Sequence, residues 1–162
     1  MKKLMFLMVL GALAFTACKK DEPTSTTPPE TAYANRLNGT WQVSTLTYSA
    51  SLNLGGFPIP ITGTAQNAGT LNFNTPTRFC TYDVRFLPNV PIPGIDTVRV
   101  QGAGTWTNTA STVSVLDTAT QQTLVFTATT NRDELQIMNT VVSYQLDSAT
   151  VVPVTLTFTL VK

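Results

Sequence analysis

The sequence predicts an all-β fold, a single antiparallel up-and-down barrel of about eight to ten strands behind a leader and a polar tether. Three observations carry that reading. Apolar and polar residues alternate with period two from Gly39 onward, as in strands with one face in a core and one in water. Turn-forming residues break the alternation at roughly ten-residue spacing, the rhythm of sandwiches and barrels. Threonine is abundant and only 12% of residues are charged, which suits pleated surfaces because β-branched side chains lose little freedom there.

The first segment, MKKLMFLMVLGALAFTA (residues 1–17), sets Lys2 and Lys3 before an apolar run. A basic start, a short apolar middle and small residues at a break make a secretory signal peptide. The run falls short of the about 20 apolar residues that a membrane-spanning helix takes. Residues 18–36, CKKDEPTSTTPPETAYANR, place prolines 23, 28 and 29 among Thr and Ser. They are expected to form a flexible linker that contributes nothing to a core. Residues 37–162 have the size of one domain with one core.

Within that domain the first strand is expected over Gly39–Tyr48. Ile61–Gln66 and Thr70–Asn74 read as two strands joined by a turn at Asn67-Ala68-Gly69. Phe79–Leu87 sets Tyr82, Val84 and Phe86 on one face and Thr81, Asp83 and Arg85 on the other. Thr97–Thr107 follows, with Gly102 and Gly104 where a strand bends. Asn108–Ser111 turns the chain into Thr112–Leu116. Gln122–Thr129 sets Leu124 and Phe126 together, and Asn131–Asp133 leads into Glu134–Met138. Val141–Leu146 and Val154–Val161 close the series, the last with Val154, Leu156, Phe158 and Leu160 on one side. No helical period is expected after the leader. Trp41, Tyr82, Phe86, Phe126, Tyr144 and Phe158, with Trp106, are the candidate barrel interior. Bulky residues fill a small barrel, whereas Thr, Ser and Ala between them leave a cup. The sequence leaves both readings open.

Two segments do not fit a polar-loop pattern: LNLGGFPIPITG (52–63) and LPNVPIPGID (87–96). Each carries a Pro-Ile-Pro run, and proline holds an extended shape while offering no amide donor. Both are expected to be strand connections at one end of the barrel, with three strands counted between them. Their side chains Leu52, Leu54, Phe57, Ile59, Val90, Ile92 and Ile95 are the candidate rim through which a ligand passes. The other reading folds them down as a plug.

Composition narrows the function. The ten basic residues fall to eight without Lys2 and Lys3, against nine acidic. No basic face for nucleic acid is expected. The chain has no histidine, so His-based triads and His metal ligands are excluded. No phosphate-cradling glycine loop and no nucleophile elbow occurs. Asp96, Asp117, Asp133 and Asp147 fall in apparent turns and read as turn formers. No catalytic residue, metal or cofactor is expected, and the chain is not read as an enzyme.

The motif Leu37-Asn38-Gly39-Thr40-Trp41, opening the first strand, resembles the G-x-W that begins lipocalins. Gly104-Thr105-Trp106, followed by a hairpin into Val113-Ser114-Val115-Leu116, resembles the middle of lipocalin-like domains in Bacteroidetes lipoproteins. The resemblance covers residues 37–162 in strand rhythm and implies a lipocalin-like barrel. It also implies a base packed over Trp41, for which Lys162 and Arg132 are the candidates. Phe15-Thr16-Ala17-Cys18 resembles the bacterial lipobox, and Lys19-Lys20-Asp21-Glu22 resembles the charged patch of surface-exported lipoproteins. The lipobox implies that Cys18 becomes the N-terminus, carrying a diacylglycerol and an amide-linked acyl chain such as palmitate. That would anchor the protein in the bacterial outer membrane, on its periplasmic or cell-surface side. Cys80, the other cysteine, would then lack a disulfide partner and is expected to be a buried, inert thiol.

Two functions remain open on the sequence. One is an anchored binding module for a small apolar or amphipathic ligand. The other is a non-catalytic structural or interaction lipoprotein, with a packed barrel, no ligand and an envelope-protein partner.

Overall fold

The computed structural model describes residues 27–54, 56–88, 97–145 and 150–162. Residues 1–17, Cys18, residues 19–26 and the second Pro-Ile-Pro run, with Val90, Ile92 and Ile95, lie outside the described residues, as does the Leu54 side chain. One helix, α1 (Pro29–Leu37), precedes eight strands: β1 (Gly39–Leu54), β2 (Phe57–Asn74), β3 (Phe79–Phe86), β4 (Val98–Asn108), β5 (Thr112–Asp117), β6 (Thr123–Asn131), β7 (Leu135–Gln145) and β8 (Val151–Val161). The strands pair in sequence order and β8 returns to β1, closing the barrel. All the ladders are antiparallel. The expected all-β up-and-down barrel is the observed architecture.

Strand alternation sorts side chains as expected. On β1, Trp41, Val43, Leu46, Tyr48 and Leu52 are buried while Gln42, Thr47, Ser49 and Ser51 are exposed. The one-residue change of phase between Val43 and Leu46 has a cause: the β1–β2 register shifts between Val43 and Thr45. This bulge adds a residue and keeps both halves of the long strand facing the core. The apolar interior and threonine-rich exterior reverse the pattern of a membrane-spanning barrel, whose outer face carries an apolar band. Among the described residues no helix is long and apolar enough to cross a membrane.

Two strand boundaries are corrected. Residues 61–74 form part of one strand, β2, because Asn67-Ala68-Gly69 makes a bulge opposite Ser44 instead of a hairpin turn. Asn67 (φ 52°) and Gly69 (φ 136°) have the left-handed backbone that a turn also uses, so the local signal was the same. Likewise Asn139 and Thr140 stay in ladder with β8, which merges two expected strands into β7. The merger of β2 also corrects the strand count between the Pro-Ile-Pro segments. Three alternating strands would separate two connections to opposite ends. Two strands, β2 and β3, bring the β1–β2 and β3–β4 connections to the same end.

The first Pro-Ile-Pro run is strand, not loop. Pro58, Ile59 and Pro60 pair with Asn53, Leu52 and Ser51. β3 joins β2 only from Gly69 onward, so the prolines sit on an open edge where a missing amide costs no ladder bond. The β1–β2 ribbon therefore reaches past its neighbours at the end shared by the β3–β4, β5–β6 and β7–β8 connections. We call that end the mouth.

The other end is sealed by α1, which replaces part of the expected flexible linker. Pro29 occupies the first turn, Glu30 lies near the N-terminus and Arg36 near the C-terminus, each where helix geometry and dipole favour it. Tyr33, Ala34 and Leu37 form the buried face. The helix is tied down by bonds to every neighbouring element. Asn108 donates to the Glu30 carbonyl (2.7 Å) and Thr75 Oγ1 to that of Ala34 (3.0 Å). Lys162 Nζ donates to the Arg36 carbonyl (2.9 Å) and Trp41 Nε1 to that of Leu37 (2.7 Å). Arg36 Nε donates to Asn131 Oδ1 (3.0 Å). Three of the last-turn carbonyls, those of Ala34, Arg36 and Leu37, which have no partner within a helix, are thus satisfied by the barrel. Lys162 also lies over the Trp41 ring, 4.6 Å from its centroid, the role that the resemblance implied for a base. Arg132 instead serves the β6–β7 turn, its carbonyl accepting from Gln136 Nε2.

Because Leu37 is fully buried, Leu37→Ala is expected to cost about 2–5 kcal/mol, and Trp41→Ala about 3–5. Removing residues 1–37 is expected to lower the thermal midpoint by roughly 10 °C or more. Circular dichroism melting checks all three, and an unchanged midpoint on truncation would show that α1 is dispensable.

Candidate functional site

The barrel is not packed throughout. Large side chains crowd the helix end, where Trp41, Phe73, Trp106, Met138 and Leu160 are all buried, and Phe73 meets Trp106 edge-on at 5.5 Å. The mouth half encloses a cavity of about 620 Å³, inside the range of sites for small molecules. Its wall is mostly apolar: Tyr48, Ala50 and Leu52 from β1, Phe86 from β3, Val100 from β4 and Leu124 from β6. Val142 and Tyr144 of β7 and Val152 and Val154 of β8, the strand beside β1, complete it.

Strand lengths explain the cavity. The β5–β6 hairpin is short on the mouth side, so β4 meets β5 only from Gly104 onward. β6 joins β7 only through Thr127–Asn131. The upper parts of β4 and β7 therefore flank a gap in the wall. Arg99, Gln101, Val141 and Ser143 line the cavity although they alternate with inward-facing neighbours, so the cavity continues sideways through this gap. The turn after β5 closes the lower margin, where Thr118 donates to the Ala103 carbonyl from both its amide and hydroxyl, each at 2.9 Å.

Among the charged groups on this wall, Asp117 is the buried one. Asp117 ends β5 and forms the turn expected of it, but it is only 3% exposed, so it is a buried carboxylate and not a solvated charge. Its Oδ1 accepts from the amides of Ala119 (2.9 Å) and Thr120 (2.8 Å) and from Thr120 Oγ1 (3.0 Å). Its Oδ2 accepts from the Tyr82 hydroxyl at 2.8 Å. The Thr120 amide, then Tyr82 and the remaining donors, hold the carboxyl below its usual range. Burial, followed by the Asp117 contact, raises the Tyr82 phenol. The pair lies flat against β4 because Gly102, the register partner of Tyr82, has no side chain. A Cβ there would collide with both Asp117 Oδ2 and the Tyr82 hydroxyl. Sequence reasoning missed this triplet because its members are 15 to 35 positions apart and meet only through the β3–β4–β5 register.

Of the candidate interior, Trp41, Tyr82, Phe86, Phe126 and Phe158 are buried, and Tyr144 is partly covered on the cavity wall. Of the candidate rim, Leu52 is buried in the cavity wall, while Phe57 is 75% exposed and Ile59 sits beside it on the ribbon. Leu52 and Ile59 are directly paired, so Phe57 and Ile59 continue the inner face above the mouth. Leu87 and Val151 are also exposed there. Outside the wall, Asp83 receives both Arg99 and Arg85, Arg99 through two bonds of 2.9 Å. Hydrogen bonds from Arg99 and then Arg85 hold the Asp83 carboxyl below its usual range.

Cys80 is buried, and burial pushes its thiol up to about 12. The neighbouring Arg78 is turned away, bonding Asn108 at 2.8 Å and covering the Trp106 ring at 4.6 Å. Such a thiol is inert at neutral pH. Among the described residues no group of three or more Cys, Asp or Glu could hold a metal ion. No protein-family model and no curated relative matches the chain.

The Asp117 carboxyl is depressed in the folded state, so its contribution to stability is complete above its unfolded value of roughly 4. The contribution fades as pH falls through the lower folded value. Wild type is therefore expected to melt above Asp117→Asn at pH 7, with the gap shrinking in acid. A gap independent of pH would show that the charge plays no part.

Proposed function

We propose that the protein is a membrane-anchored envelope lipoprotein whose lipocalin-like barrel binds a small apolar or amphipathic ligand. The observation that carries the binding role is the cavity of about 620 Å³, closed by α1 below and open at the mouth. A structural protein with a filled interior has no use for such a space, because a void forfeits packing contacts on every side. The apolar face of the β1–β2 ribbon, with Phe57 and Ile59, suits a rim that guides an apolar body inward. α1 ends the tether at the sealed end, so a lipid on Cys18 would hold that end nearer the membrane and leave the mouth free. The interior supports binding without chemistry, because its polar side chains are a carboxylate already bonded by four donors, an arginine bonded to Asp83, and amides and hydroxyls lacking a base.

Native mass spectrometry of the purified domain is expected to show a co-purified small molecule, or a mass increment after incubation with an apolar probe. Ala50→Trp, which fills the cavity from β1, should abolish that increment with the fold intact. Binding unchanged by Ala50→Trp would remove the cavity from the function. The anchor has its own test: Cys18→Ser is expected to release the protein from membranes or leave an unprocessed precursor, and a processed, membrane-bound variant would refute it.

A further inference from the structure

We infer that the cavity selects amphipathic amines, an apolar body carrying a protonated nitrogen, and that Asp117 is the group that holds the nitrogen. This deepens the binding role proposed above and rests on it.

The charges on the wall decide the sign of the ligand. Arg99 and Asp117 are the charged side chains lining the cavity. Arg99 lies on the outward side of β4, with its Nε and one terminal nitrogen already on the two oxygens of Asp83. Asp117 has the opposite situation. All four of its donors are neutral, and the ion pairs among the described residues belong to Asp83. The neutral donors stabilise the carboxylate without cancelling its charge, so a negative charge stays at the Asp117 side of a mostly apolar wall. Charge uncancelled in such surroundings attracts an opposite charge far more strongly than it would in water.

Geometry leaves room for that partner. A carboxylate oxygen can accept more than one hydrogen bond. Oδ1 is occupied by three donors, whereas Oδ2 has the Tyr82 hydroxyl and one further accepting position. The space over Gly102 is filled by Oδ2 and the phenol themselves, so a ligand approaches Asp117 from the cavity that it and Tyr82 line. An ammonium in the cavity would donate to Oδ2, while its apolar body would lie along Val100, Leu124 and Val142 toward the mouth. The stacked rings of Tyr48 and Phe86, 5.0 Å apart, form the facing wall. An acid of the same length would bring its negative charge toward Asp117 instead.

Displacement of the neutral dye N-phenyl-1-naphthylamine by dodecylamine, dodecanol and dodecanoate, each below its micelle concentration, tests this. Dodecylamine is expected to displace the dye at about tenfold or more lower concentration than dodecanoate, as a charge-assisted bond implies. Asp117→Asn keeps an oxygen for the turn amides and removes the charge, so it should erase the preference. Tyr82→Phe keeps the charge and frees Oδ2, so the preference should persist or grow. If Asp117→Asn does not fold, the wild-type ranking and Tyr82→Phe still decide. Equal displacement by all three compounds would overturn the inference while leaving the cavity as a binding site. Tighter binding of dodecanoate would overturn it in favour of Arg99. Failure of the dye and every compound to bind would instead defeat the binding role itself.

Discussion

Leu37 secures the closed end of the barrel twice over. Its side chain is fully buried, and its carbonyl accepts the indole N–H of Trp41 at 2.7 Å. The helix it ends is nine residues long, too short to be stable alone in water. It exists because the barrel supplies what it lacks: a surface for Tyr33, Ala34 and Leu37, and donors for its final carbonyls. The barrel gains a lid in return. An eight-stranded barrel with both ends open would expose its core at each, so one end must be filled and the other can be left for a ligand. The position of α1 therefore fixes which half is packed and which is hollow.

The hollow half then follows from strand lengths more than from small side chains. β1 and β2 run 16 and 18 residues and tower over the barrel, whereas β5 is a six-residue strand. A long ribbon facing a short hairpin makes a container with one high wall and one low one. Rings near the mouth, including Tyr48, Phe86 and Tyr144, lie against the wall and leave the middle open. The low side is also where Asp117 turns the chain, so one carboxylate both ends β5 and presents a charge to the cavity.

Much of this was legible in the residues. Period-two alternation located most strands to within a few positions, because half-buried strands write their two faces directly into the sequence. The misplaced break in β2 has a local cause. Asn67 and Gly69 carry the backbone preference of a turn, and only pairing with β1 across a bulge keeps β2 continuous. α1 was hidden because Pro28, Pro29 and Thr27 look like linker, while its buried face consists of three residues. Proline at a first helical position and Tyr33 four residues before Leu37 were the available signs. The cavity was not legible at all. Its volume depends on where each ladder stops, and a ladder's end is set by hydrogen bonding between strands distant in sequence.

The two Gly-Thr-Trp motifs show how far a short motif can be read physically. Each tryptophan points inward at the sealed end and donates its indole N–H to a backbone carbonyl, Trp41 to Leu37 and Trp106 to Asn74. Each ring is covered by a cation 4.6 Å away, Lys162 or Arg78. The glycines differ in purpose. Gly39 takes a left-handed φ of 111° as the chain leaves α1, whereas Gly104 faces the backbone of Leu116 so closely that a Cβ would collide with its carbonyl. At Gly104, two residues before Trp106, the missing side chain is what lets the two backbone segments come together. The cations then cap the rings from the solvent side, where an aromatic face attracts positive charge.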